Sequence, residues 1–166
     1  MTRRIDIPQH VTTMQLLDRI DYGDAFTADV PPGALDSTRA AEHAQAIARQ
    51  VMPRWMTAAV LAIHRHVLGL QLTTSDQSSL LPGWRLLRHD PDTLAYGVTG
   101  GLITPRVVLV AAPEQLIVTT VVRYDHRATP AVWALVAPLH RLVVRFVLAR
   151  TARRATTATT SGHRPR

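Results

Sequence analysis

Residues 129–154, "TPAVWALVAPLHRLVVRFVLARTARR", decide the fold. The stretch nearly has the length and apolarity of a bilayer span, for which about 20 mainly apolar residues suffice. It also carries Arg141 and Arg145 near its middle. Each arginine would cost roughly 2.5–3.5 kcal/mol at the bilayer centre, while a Leu or Val returns only about 0.3–0.6 kcal/mol. Pro138 and His140 add to the loss. The two arginines are four apart, so they share one side of a helix and can both reach water. Val132, Leu135, Val136, Leu139, Leu142, Val143, Phe146 and Val147 fill a broad remaining arc. The stretch therefore reads as a core helix and not as a stable transmembrane span. Thr129 is placed to cap it and Pro130 to open it. Pro138 should kink it, because the carbonyl of Ala134 loses its partner.

A core helix needs a sheet to cover, and one precedes it. The runs "WRLLRH", "TLAYGV", "LITPRVVLVA" and "LIVTTVVRYD" are separated by the turns "DPD", "TGG" and "APEQ", which predicts an antiparallel meander. Pro105 cannot donate to a ladder, so an edge or a bulge is expected there. In the last run Leu116, Val118, Thr120, Val122 and Tyr124 point one way. Ile117, Thr119, Val121, Arg123 and Asp125 point the other, towards solvent by the polarity of that end.

Upstream, "DYGDAF" reads as a short strand that leaves through a Pro-Pro-Gly loop. "STRAAEHAQAIARQVM" follows as a helix, with Asp36 or Ser37 placed to cap it. Pro53 ends that helix and opens another, in which Met56, Val60, Ile63, Val67 and Leu70 recur at helical spacing. Gly69 is its expected terminator, and residues 71–83 read as a polar loop. Helix-turn-helix does not fit this pair, since the first helix is mostly alanine and has no basic recognition face. The expected architecture is α+β and helix-grip-like. A curved antiparallel sheet of about five strands wraps a long C-terminal helix, with a helix pair after the first strand and a cavity between layers. Residues 1–152 form this single domain, and the Thr/Ala/Arg-rich residues 153–166 are expected to be a disordered tail.

Composition bounds the function classes. A chain of 166 residues suits one domain with one good core. The absence of cysteine excludes a disulfide scaffold, a thiolate zinc site and a cysteine nucleophile. Net charge is +7, but the chain has neither lysine nor asparagine and all 19 basic residues are arginine. Both missing residues have codons that begin AA, so GC-rich coding accounts for most of the basicity. The N-terminal arginines lack an apolar run behind them, so no secretory or twin-arginine signal is expected and the cytoplasm is the expected location.

The segments "DYGDAF", "MPRWMTAAVLAIHRHVLGL" and "LIVTTVVRYDHRATPAVWALVAPLHRLVVRFVLAR" resemble the bacterial family catalogued as domain of unknown function 2867, over roughly residues 16–152. The resemblance implies a fold akin to the helix-grip superfamily of START, polyketide-cyclase-like and Bet v 1-like proteins. It implies no particular reaction. Some members are fused to nucleotide-cofactor domains, which implies small-molecule metabolism. Where the family has a His-Asn pair after the last strand, this chain reads Asp125 and His126.

No nucleophile elbow, phosphate-binding loop, dinucleotide fingerprint or HExxH is present, and no cofactor is expected. His64 and His66 are two apart on a helix and point apart, so no metal site is expected. His140 in the final helix is a candidate acid/base, and Asp125 with His126 is a candidate pair at the cavity mouth; a backbone-bonded His140 and a capped loop are the plainer readings. Trp55, Trp84, Tyr96, Tyr124 and Trp133, from five different elements, are candidate ligand contacts, with ordinary core packing as the plainer reading. Three functions are compatible. The leading one is a carrier of a hydrophobic, apolar or aromatic small molecule. The second is a cyclase- or dehydratase-like enzyme. The third is a module in which Arg150, Arg153 and Arg154 meet nucleic acid or an anionic membrane.

Overall fold

In the computed structural model, residues 1–35, 38–72 and 82–162 are described, with side chains in the last helix to Thr157. Six antiparallel strands form one sheet: β1 (Arg3–Ile5), β2 (Tyr22–Asp29), β3 (Arg85–His89), β4 (Thr93–Gly97), β5 (Ile103–Ala112) and β6 (Gln115–Tyr124). Their spatial order is β1-β2-β6-β5-β4-β3. The four-strand meander is where its turns placed it. Hydrophobic alternation does not reveal β1, which is only three residues long and pairs Arg4 with Phe26 at the sheet edge.

The helices are α1 (Gln9–Thr13), α2 (Ala40–Val51), α3 (Arg54–Ala62) and α4 (Thr129–Gly162). α2, α3 and α4 stand on one side of the sheet and enclose the larger core, in which Phe26, Leu94, Leu116, Val122, Trp133 and Leu148 are buried. The expected caps of α2 at Asp36 and Ser37 lie outside the described residues, as does most of the expected polar loop. In the first turn of α2 the N–H of Ala41 donates to the carbonyl of Pro91, in the turn between β3 and β4 (3.0 Å). α3 continues into a π-helical turn, Ile63–Val67, in which Leu68 N–H donates to Ile63 O (3.0 Å). Gly69 ends it with φ +61°, the left-handed conformation that glycine adopts without a Cβ penalty.

The edge or bulge expected at Pro105 is corrected: the proline sits inside β5, a central strand, between Val122 of β6 and Val98. Val122 turns its carbonyl to Asp21 and thus away from β5, so Pro105 faces the end of β4, where the N–H of Val98 donates to its carbonyl (3.4 Å). The proline has no N–H to return to the Val98 carbonyl, which accepts instead from the Arg106 guanidinium (2.9 Å). The bulge in the sheet falls between Leu86 and Arg88 instead.

Three further expectations are corrected. The second face of β6 does not meet solvent: Thr119 and Val121 are buried, and Ile7, Val11, Met14, Leu16 and Ile117 form a second small core with Ala95, Val108 and Val110. The N-terminal segment folds back over that face. Thr129 does not cap α4; its hydroxyl donates to the carbonyl of Leu102 (2.6 Å) and ties the helix start to the sheet. The tail expected to be disordered from residue 153 is helical to Gly162, because Ala152 and Ala155 are buried on the side of the helix that packs on α2. Low complexity there is a run of small side chains that permit close helix approach. The last four residues lie outside the described residues.

α4 also departs from a plain core helix. It passes Pro138 without ending and packs on α2, β2 and β6. Yet Leu135, Leu139 and Leu142 are exposed. The helix is long and apolar enough to cross a membrane by composition, and only 22% of its most apolar window is buried.

Candidate functional site

A cavity of about 460 Å³ lies between the inner face of the sheet and the three large helices. β5 and β6 supply its floor through Val107, Leu109, Leu116, Val118 and Thr120, all inward by strand alternation. α2 contributes Ala44 and Ala48, whose short side chains leave the room. α3 and its π-helical turn add Trp55, Met56, Ile63 and His64, and α4 adds Trp133, Val136, His140 and Val147. Apolar groups dominate the lining, and its polar side chains are few: Thr120, His64, His140 and Thr151 among them.

A polar cluster lies where β2, β6 and α4 meet. Asp24 and Thr120 are register partners on adjacent strands and share the inner face. His140 Nε2 lies 3.1 Å from Thr120 Oγ1 and 3.7 Å from Asp24 Oδ1. Tyr22, two residues before Asp24 and therefore on the same face, donates its hydroxyl proton to Asp24 Oδ2. Arg141 Nε donates to Tyr22 Oη (3.0 Å) and lies 3.7 Å from Asp24 Oδ2. Trp133 packs edge-on against Tyr22, with ring centres 5.2 Å apart, and 5.7 Å from His140. Only His140, Thr120 and Trp133 of this cluster line the cavity.

Electrostatics follow from burial. The Asp24 side chain is fully inaccessible. That burial alone would raise its pKa, but His140, Tyr22 and Arg141 outweigh it and hold the carboxyl below its ordinary value. Burial, then the Asp24 hydrogen bond, push the Tyr22 hydroxyl up to about 12. Across the cavity, burial drives His64 down to about 4, helped by the charge of His140, so His64 is neutral near pH 7. Its ring lies 5.4 Å from that of Trp84.

The candidate residues separate cleanly. His140, Trp55, Trp84 and Trp133 line the cavity. Tyr96 does not; it is buried and its hydroxyl donates to Gln45. Tyr124 does not; it packs at the core margin, with its N–H held by Asp21 (2.7 Å). Asp125 and His126 form no acid/base pair. Asp125 accepts from Thr104 of β5 (2.5 Å) and Arg123 of β6 (2.7 Å) and ties the strand ends, while His126 Nδ1 accepts from the N–H of Ala128 (3.1 Å) and holds the loop. The sequence reading missed Tyr22, Asp24, Thr120, His64 and Arg141. A signal existed: an acid in the middle of "YGDAFTAD", in phase with Tyr22, Phe26 and Ala28, is a charge on the buried face. Among the described residues no cluster of three metal-ligating side chains occurs. Arg150, Arg153 and Arg154 border an open hollow beside Gln50 and Val51 of α2.

The fold and site define an α+β protein in which a six-stranded antiparallel sheet packs on a long C-terminal helix and encloses an apolar cavity with one polar corner. The chain belongs to the family "Protein of unknown function (DUF2867)", which matches residues 16–147. No curated protein and no solved structure matches it.

Proposed function

We propose that the protein binds an apolar or aromatic small molecule in this cavity, with one hydrogen-bonding group of the ligand set against His140 and Thr120. The observation that carries the reading is an apolar space of about 460 Å³ in whose lining His140 and Thr120 stand together at one corner, 3.1 Å apart. Ligand sites have this composition, a mostly hydrophobic wall and a few polar groups that fix orientation, and span about 300–1,000 Å³. The layout, a sheet over a long terminal helix with a helix pair after β2, is read as helix-grip-like, which supports the same conclusion. Thermal unfolding of the purified protein against a library of hydrophobic ligands tests it. A raised Tm that Val118→Phe abolishes is expected; no stabilisation by any member would end the reading.

One observation favours a second reading, an enzyme of the cyclase or dehydratase kind. His140 faces the cavity while the buried Asp24 carboxylate lies 3.7 Å from its Nε2, so the imidazolium formed on taking a substrate proton would be stabilised. In a dehydration His140 would take the proton α to a carbonyl and return one to the departing β-hydroxyl, releasing water. Mass spectrometry of β-hydroxy carbonyl compounds incubated with wild type and His140→Gln distinguishes the readings. Loss of one water only with wild type is the enzymatic outcome, and no turnover by either rejects it.

A further inference from the structure

Two of the helices that line the cavity also present apolar side chains to solvent. On α4, Ala131, Ala134, Leu135, Pro138, Leu139 and Leu142 are all exposed, Leu135 by 83% and Leu142 by 65%. Spacings of three and four place them on one stripe, and the next exposed residue along it is Arg145. On α3, Trp55 is 69% exposed, and Ala58, Ala59 and Ala62 are exposed at the same helical spacing. Trp55, Leu139 and Leu142 belong to the cavity lining as well. The mouth of the cavity is therefore rimmed by large apolar side chains from two helices. Soluble monomers rarely leave a contiguous patch of this kind in water.

Charge narrows what can cover it. Neither α3 nor α4 contains an Asp or a Glu. Arg54 adjoins Trp55 and Arg145 closes the stripe, both exposed. Beyond them Arg150, whose guanidinium lies 4.8 Å over the Phe146 ring, is followed by Arg153 and Arg154. An apolar face bordered by arginines, with an indole at its rim, complements an anionic bilayer: acyl chains receive the leucines, and headgroups receive the guanidinium groups and the indole N–H. Nucleic acid would use the arginines and leave the leucines in water. A second copy would set arginine against arginine.

We propose that the face made by Trp55 of α3 and Leu135, Leu139 and Leu142 of α4 docks the protein peripherally on an anionic membrane surface, with the cavity mouth against the bilayer. This stands on the exposed side chains and does not require the cavity to be filled. Arg141 keeps the docking peripheral, since its hydrogen bond to Tyr22 and its approach to Asp24 hold α4 on the sheet.

Flotation of the full chain with phosphatidylcholine vesicles containing about one third phosphatidylglycerol tests it, with pure phosphatidylcholine as the control. The expected result is binding to the anionic vesicles that falls at least tenfold at about 0.5 M salt and is released by alkaline carbonate. Brominated acyl chains should quench tryptophan fluorescence in wild type but not in Trp55→Tyr, because Trp84 and Trp133 are buried. Leu135→Ser with Leu142→Ser should weaken binding about tenfold with an unchanged Tm, and Arg145→Glu should weaken it as well. Failure to bind anionic vesicles, or binding that the double substitution leaves intact, overturns the proposal. So does resistance to carbonate, which would mean a spanning helix. A dimer that the double substitution dissociates, or duplex DNA that outcompetes the vesicles, overturns it too.

Discussion

Acidification should destabilise this protein through His64 before it reaches the carboxylates. In the folded chain His64 faces the cavity beside Trp84, and burial holds its pKa near 4, against an ordinary value of 6.5. Between those values the unfolded chain binds a proton that the folded chain refuses. Stability from this residue is therefore complete above pH 6.5 and is lost progressively as pH falls towards 4. Each pH unit across the window is worth about 1.4 kcal/mol, so the whole interval costs about 3 kcal/mol, a large part of an ordinary domain's stability. Urea unfolding at a series of pH values, for wild type and for His64→Phe, isolates the effect from the other histidines. Relative to His64→Phe, wild type should lose about 1.4 kcal/mol of unfolding free energy per pH unit as pH falls across that range, with a constant difference above it. Parallel stability curves, or an imidazole that titrates near 6.5 by NMR, would refute the reasoning.

Other substitutions probe the remaining parts of the site. Asp24→Asn should destabilise by about 2 kcal/mol at neutral pH, because Arg141 and His140 lose their carboxylate while Tyr22 keeps an acceptor. Since the folded carboxyl titrates below its ordinary 3.8, that difference should hold above the unfolded value and fade as pH falls through the folded one; chemical denaturation at neutral and strongly acid pH measures both limits. Val118→Phe, at the centre of the cavity floor, should leave Tm within a few degrees of wild type and abolish fluorescence enhancement of an apolar naphthalene probe. Ala155→Glu should cost about 2–4 kcal/mol, because Ala155 is fully buried and a carboxylate there has no water; a Tm equal to wild type would return residues 153–162 to the status of a solvated tail.

The sequence makes the sheet legible because turns and period-two alternation are local signals. "DPD", "TGG" and "APEQ" fix the four strands of the meander to within a residue or two, and the Pro53 break fixes the two helices. What escapes it is the identity of the partner across each face. Arg141 and Arg145 look alike on a helical wheel, yet Arg145 meets solvent and Arg141 bonds Tyr22, a contact 119 residues away in the chain. The same blindness made Asp125 and His126 attractive as a pair. Asp125 accepts from the strand side chains Thr104 and Arg123, whereas His126 turns to the backbone N–H of Ala128. Asp24 was the recoverable miss. An acid in phase with Tyr22, Phe26 and Ala28 must either turn a strand over or be paired in the interior. The second alternative forces a cationic or hydroxyl partner onto whatever element covers that strand. Since α4 is the element that covers it, and His140 and Arg141 are adjacent on α4, the polar corner of the cavity follows from the position of one carboxylate once the order of the strands is known.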